Sequence, residues 1–264
     1  MTTIIKSSGY NGPVDGLKLI SDFDLFPSQK LVGLYEFLEG TGEILMDTSG
    51  NGNHGAITPG AGGWQPEAAG WSYQFDGVNT AIDLPFGTDG DLTLVVVCKP
   101  VFTGNDNAYR VLASNLTGPN KGAALCYFSL AGGGTSVVYG AAGGLGARVV
   151  SPPDVAVTEP WRMEVVSLGS NGAASLANMT AGRLSTIAID GYVPSAGLMC
   201  IGNNRSHGPV SSARPFNGRI AAVAVYSRKL SPLPSVTSPG GPSEFTKLQR
   251  FANTQIVANR AISI

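Results

Sequence analysis

The chain has 264 residues, 17 basic and 18 acidic side chains and a formal net charge of −1, with no cluster of Lys and Arg, which argues against nucleic acid as a partner. Only 13% of residues are charged and the mean hydropathy is +0.12. That is about half the charge of an average soluble chain, so the surface is either rich in Gly, Ser and Asn or covered by other subunits.

Residues 1–30 are polar and Gly-containing, with one short amphipathic stretch, LKLISDFDLF, at 17–26. They are expected to form an N-terminal arm. The opening MTTIIKSSGYNGPVDG has no apolar run of the secretory kind, so no leader is expected. From residue 31, helix-period patterning is scarce, and short apolar or alternating runs recur between Gly, Asn and Asp clusters. They fall at 31–37, 71–77, 81–86, 92–100, 109–115, 123–131, 136–142, 161–169, 185–191, 197–204 and 219–228. Runs of strand length bounded by turn chemistry predict an all-β antiparallel sandwich or jelly roll over 31–232. No fixed repeat is present, which disfavours a propeller or β-helix. LTLVVVC at 92–98 is far too short to span a bilayer, and no membrane insertion is expected. Cys98, Cys126 and Cys200 are odd in number and widely spaced, so buried free thiols are expected rather than disulfides or a zinc site. Asn115, Asn178 and Asn204 stand in N-x-S/T sequons, which carry weight only in an exported chain.

Residues 233–264 form a third segment. SPLPSVTSPGGP at 231–242 is a linker that breaks any element. After it, Phe245, Leu248, Phe251 and Ala252 recur at helical spacing behind Ser243, a suitable N-cap. The final AISI is apolar and uncharged. Both arms are therefore expected to dock, on the domain itself or on a neighbouring chain.

Residues 47–55 read DTSGNGNHG. Against the calcium-loop template D-x-[DN]-x-[DN]-G, Asp47, Ser49, Asn51 and Gly52 fall at positions one, three, five and six, and the Asn53 carbonyl at seven. Asp47, Ser49, Asn51 and Asn53 are thus candidate Ca²⁺ ligands. Position twelve is Thr58 rather than Glu, and one carboxylate binds weakly. The alternative is a compact turn made by Asp and Asn caps with left-handed glycines. His54 and His207 lie in similar Asn/Gly-rich contexts, GNGNHG and GNNRSHG, and are candidates for ligand contact. Trp64, between Gly63 and Gln65, and Tyr109, in GNDNAYR, are candidates for stacking on a sugar, against the alternative of packing. Trp161 is expected in the core. There is no E-x-D-x-E stretch and no G-x-S-x-G elbow. Glu36, Glu39 and Glu43 are spaced by three and four, which does not place them on one strand face. The chain is expected not to be an enzyme.

Four stretches in order, LYEFLEGTGEILMDTSGNGNHGAIT, GWSYQFDGVNTAIDLP, PWRMEVVSL and RPFNGRIAAVAVYSRKLS, resemble the laminin-G-like branch of the concanavalin-A-like lectin/glucanase superfamily. The resemblance covers residues 31–232. It implies two curved antiparallel sheets in a jelly roll, a calcium ion near the sheet rim in many members, and binding of glycans or proteins. The closing strand departs from the family, with Ala221 and Ala222 where an Asp-Glu pair is usual. That lowers the case for calcium and leaves residues 47–55 as a loop stapling the strand of 31–38 to the next part of the chain. A lectin-like sandwich made without a leader needs another route out of the cell, and release inside a bacteriophage particle is the simplest. The sequence thus reads as a non-enzymatic virion component, a capsid decoration, tail or baseplate protein. Its expected partners are other virion chains, in a homo-oligomer or hetero-assembly. The alternative is a carbohydrate-binding module in which rim loops 47–55 and 202–208 recognise a cell-surface glycan.

Overall fold

A computed structural model describes residues 27–68, 70–101, 109–117, 121–130, 133–140, 161–180, 182–204, 213–233 and 242–253. The amphipathic stretch at 17–26 and the terminal AISI lie outside the described residues. In chain order the strands are β1 (Leu31–Tyr35), β2 (Ile44–Leu45), β3 (Gly55–Thr58), β4 (Gly63–Glu67), β5 (Gly70–Asp76), β6 (Ala81–Thr88), β7 (Leu92–Pro100) and β8 (Tyr109–Ser114). They continue as β9 (Ala123–Leu130), β10 (Gly133–Gly140), β11 (Arg162–Leu168), β12 (Ala173–Asn178), β13 (Arg183–Ala188), β14 (Ser195–Ile201), β15 (Ala213–Pro215) and β16 (Asn217–Tyr226), before helix α1 (Glu244–Phe251).

Two sheets form the sandwich. The first runs β13-β12-β11-β7-β16-β5-β4, with β1 also on β16, and the second runs β10-β9-β8-β14-β6-β3-β2, with β15 on β8. All pairings are antiparallel except β15 on β8. The expected all-β antiparallel sandwich is the observed fold. Each of the eleven apolar runs became a strand. The strands not anticipated are β2, β3, β4, β12 and β15. These are short, or carry Pro66 on an edge strand, or are rich in Ala, all weak signals of β structure.

Between the sheets, Leu92, Leu94, Val96 and Cys98 of β7 meet Leu112, Leu125 and Tyr127 of the opposite sheet and Ile220, Val223 and Val225 of β16. An edge-to-face series of rings, Phe37–Trp64–Tyr73–Phe75–Phe216, continues this core with centroids 5.1–6.2 Å apart. Cys98, Cys126 and Cys200 are free and buried, as expected. Burial pushes the Cys98 and Cys126 thiols well up, which keeps them protonated and unreactive.

A second apolar layer explains why LTLVVVC is apolar at consecutive positions. Val95 and Val97 point away from the sandwich interior and are covered by α1, through Phe245, Leu248 and Ala252. Such a strand is buried on both faces and cannot alternate with polar residues. Ser243 caps the helix, its hydroxyl accepting from Thr246 N at 3.1 Å. Arg228 pairs with Glu244, whose other oxygen accepts from Ser231 N at 2.7 Å. The expected C-terminal helix is present, and it docks on its own domain. Trp161 is buried too, but in this outer layer rather than between the sheets. A β-bulge between Ile220 and Ala222 turns both Ala221 and Ala222 toward the helix layer. At these positions the helix requires small apolar residues, which accounts for the missing acids.

Two sequon asparagines are structural. Asn178 is buried, and its amide donates to the equally buried Glu164 carboxylate at 2.9 Å. Asn115 is fully buried and donates to the carbonyls of Thr88 and Ser195 while accepting from Ala123 N. It thereby ties β6, β14 and β9 together. Asn115→Ala leaves these backbone groups unpaired and is expected to lower stability by about 3 kcal/mol, read as a shift in the urea midpoint at unchanged slope.

Candidate functional site

Strand β1 has β16 along one edge. Its other edge would leave N–H and C=O groups bare, a template for unwanted pairing. The DTSGNGNHG loop folds back along that edge. Leu34 N donates to Asp47 Oδ1 at 3.0 Å, and Thr48 N donates to Leu34 O at 2.7 Å. The Asn51 amide donates to the carbonyls of Leu31 and Val32 at 2.9 and 3.1 Å, and the Asn53 amide to Val32 O at 2.8 Å. Side chains thus replace a neighbouring strand. Asp47 also shapes the loop, accepting from Ser49 N and Asn53 N at 2.9 Å each. Gly50 and Gly52 supply φ values of 89° and 74° that side-chain-bearing residues resist. Asp47 N donates to Nδ1 of His54 at 3.0 Å. The staple role that the family resemblance implies for this loop is what the geometry shows.

The same bonds decide how well a calcium ion fits. Both carboxylate oxygens of Asp47 face backbone N–H groups. Ser49 Oγ accepts from Asn51, at N and Nδ2. Asn51 and Asn53 turn their amide N–H groups toward β1. The Asn53 carbonyl accepts from Tyr35 Oη at 2.6 Å. A Ca²⁺ site gathers six to eight oxygens around one point, whereas these groups diverge along a strand edge. The loop matches the calcium pattern in spacing and does not fit the ion.

The remaining described candidates, His54, Trp64 and Tyr109, do not form one site. His54 is exposed at the loop surface, and His207 lies outside the described residues. Trp64 is half-buried. Its ring packs on Phe37 and Tyr73 and its indole N–H donates to Gly42 O at 2.9 Å, so it plugs one end of the core. For Tyr109 the packing alternative holds and the sugar-stacking one does not: it is only 4% exposed. It opens β8, an interior strand with β9 on one side and β14 and β15 on the other, so a place beside a polar loop does not put its ring in solvent.

One site was missed in the sequence. The turn at 77–80 crosses from β5 in the first sheet to β6 in the second, and the segment 59–62 crosses between β3 and β4. Asp76 holds the two crossings together at the rim. Its Oδ1 accepts from the N–H groups of Val78, Asn79 and Thr80 at 2.9–3.0 Å, and its Oδ2 from Ala61 N at 2.9 Å. Burial alone would raise its pKa, but these four donors outweigh it and hold the carboxyl well below the usual carboxylate range. The signal was FDGVNT, an Asp-Gly pair followed by Asn and Thr, which is turn chemistry as strong as that of 47–55.

No protein-family model and no curated protein matches the chain. Solved structures share its fold. Trypanosoma rangeli sialidase in complex with sialic acid is 17% identical with a TM-score of 0.56, over 97% of this chain and 36% of that one. The binding domain of Paraclostridial Mosquitocidal Protein 1 is 11% identical with a TM-score of 0.58, over 86% and 53%. Domain 4 of AbnA, a GH43 extracellular arabinanase from Geobacillus stearothermophilus, in complex with arabinotriose, is 18% identical with a TM-score of 0.52, over 77% and 95%. The chain spans about a third of the sialidase. At these identities the likeness establishes the fold alone, an all-β sandwich.

Proposed function

We propose that this chain is a carbohydrate-binding domain that acts by recognition and not by catalysis. The observation that supports this most is its match, over nearly the whole of the smaller chain, to an arabinanase domain solved with arabinotriose. Four carboxylates among the described residues favour the same reading, because they have structural tasks. Asp47 and Asp76 hold backbone N–H groups, Glu67 accepts from Ser72 and pairs with Arg219 at 3.2 Å, and Glu244 clips the helix. Titration calorimetry against arabino-oligosaccharides, followed by a wider glycan panel, tests it. Saturable binding without release of reducing ends is expected. Release of reducing ends overturns the non-catalytic reading, and no binding to any glycan overturns the carbohydrate reading.

The finer part of the proposal is a laminin-G-like domain displayed on a bacteriophage virion as an accessory protein among other virion chains. The low charge supports it, as does an apolar cluster beside edge strand β2. Leu38, Ile44 and Met46 are 54%, 59% and 44% exposed, and the bond from Met46 N to Glu39 Oε1 draws the two segments together. Patches of this kind mark contacts with other chains. Sedimentation should show self-association, or binding to other virion proteins, that Ile44→Asp with Met46→Asp abolishes. A monomer with no affinity for virion proteins rules this setting out.

A further inference from the structure

The charges of the chain are sorted along its length. Residues 31–98 hold nine Asp and Glu and no Lys or Arg, whereas residues 99–264 hold fourteen Lys and Arg and six Asp and Glu. The net charge of −1 thus hides two opposed parts. Sheet order turns this into a division in space. The first sheet has β5 and β4 at one end and β11, β12 and β13 at the other, and the second has β6, β3 and β2 at one end and β8, β9 and β10 at the other. β10 lies near β12, and the β5–β6 crossing joins the opposite ends, so corresponding ends of the two sheets form common flanks. One flank carries Glu67, Asp76 and Asp83 on its strands and Glu36, Glu39 and Glu43 in the segment before β2. The other carries Arg110, Arg162, Arg183 and Arg214 on its strands, and their one carboxylate, Glu164, is buried. Arg219 of β16 is the base that reaches toward the acidic flank, where it pairs with Glu67.

Each flank also has an apolar feature at its terminal strand. On the acidic flank, Leu38, Ile44 and Met46 stand out beside β2, next to Glu39 and Glu43. On the basic flank, α1 and the β12–β13 hairpin enclose a groove of about 170 Å³ lined by Ala177, Met179, Leu184, Pro232 and Phe245. That is smaller than the roughly 300–1,000 Å³ of small-molecule pockets and suits aliphatic side chains. Leu184 at its lip is 46% exposed, and Lys247 and Arg250 stand on the helix that forms its wall. We propose that this chain assembles head to tail with itself, the Leu38–Ile44–Met46 cluster of one copy seating in the groove beside α1 of the next. The inference takes that cluster as a contact with other chains, as the virion setting does, and names a second copy as the partner. Charge selects this pairing. Cluster against cluster would set Glu36, Glu39 and Glu43 opposite themselves, which is penalised, whereas cluster against groove sets them opposite Lys247 and Arg250. A net charge near zero leaves whole copies without mutual repulsion. Such a contact uses a different surface on each copy, so it extends into a filament or closes into a ring.

The test is sedimentation of the full chain with variants at either end. Wild type is expected to grow beyond a dimer as its concentration rises to about 200 µM, and raising NaCl from about 50 to about 500 mM should weaken association by about tenfold. Ile44→Asp with Met46→Asp removes the cluster, and Leu184→Asp blocks the groove. All three positions are exposed, so each variant should fold and remain monomeric by itself. Mixed in equal amounts, the two variants should form a one-to-one dimer and nothing larger, because each keeps the surface that the other has lost. A monomeric wild type overturns the proposal. So does self-association that Leu184→Asp leaves intact, because the cluster then pairs with itself, and so does a mixture that stays monomeric. Binding of the cluster to a different virion protein, without self-association, overturns head-to-tail assembly and keeps the virion setting. None of these outcomes bears on carbohydrate binding.

Discussion

Asp47→Ala is expected to lower the unfolding free energy by about 3–4 kcal/mol, a large share of the 5–15 kcal/mol typical of a domain. The carboxylate accepts from three backbone N–H groups, those of Leu34, Ser49 and Asn53, and the residue is only 7% exposed. Removing it strips the cover from one edge of β1 and the internal support from the loop together. Asp47→Asn should recover only part of the loss, because an amide offers a single acceptor oxygen and turns N–H groups toward N–H groups. Urea unfolding measures the difference. A loss below about 1 kcal/mol would show that the loop holds its shape without this side chain.

The same bonds set an acid dependence. Burial raises the Asp47 pKa, but the Ser49 hydroxyl and the N–H groups of Leu34, Ser49 and Asn53 outweigh it, and the net direction is down. Asp76 is lowered as well. A carboxylate whose folded pKa lies below its unfolded value, about 3.9, contributes full stability above that value and loses it as pH falls through the folded pKa. Stability should therefore hold level above about pH 5 and fall below about pH 4, with a shallower fall in Asp47→Asn.

Leu248→Asp is expected to detach the C-terminal helix and cost about 3–5 kcal/mol. Leu248 is 1% exposed and lies in the apolar layer with Val95, Val97, Ala222 and Ala224. A carboxylate there has no partner among these groups, so undocking is cheaper than burial. The helix is too short to persist alone. Trypsin should then cut at Lys247 and Arg250 well before it attacks the sandwich, and the bared face of the first sheet should promote association. Ser243→Ala provides a graded control at about 1 kcal/mol, since it removes only the cap. Unchanged protection of Lys247 in Leu248→Asp would mean that α1 is not held by this layer.

These two variants also mark the boundary between what is legible in the chain and what is not. Eleven of the sixteen strands came through because their residues alternate or run apolar between turn formers, and that pattern is local. The helix came through for the same reason, from Ser243 and the spacing of Phe245, Leu248 and Ala252. The candidate site did not. Tyr109 stood as a candidate for sugar stacking beside GNDN with packing as the alternative, and local sequence could not choose between them, because exposure depends on which strands flank β8. Asp47, Ser49 and Asn51 matched a calcium loop in spacing, but a spacing does not say whether oxygens converge. In this loop they serve an exposed strand edge that only the pairing of β1 with β16 defines.

By itself, then, the sequence determined the β architecture, the positions of its turns and the C-terminal helix, all consequences of short-range periodicity and backbone preference. Tertiary structure alone decided that Ala221 and Ala222 lie under a helix, that Asp47 caps an edge, and that Asp76 holds two crossings together. Each of these is a contact between segments whose distance in space is fixed by sheet order, and sheet order is written in no single stretch of the chain.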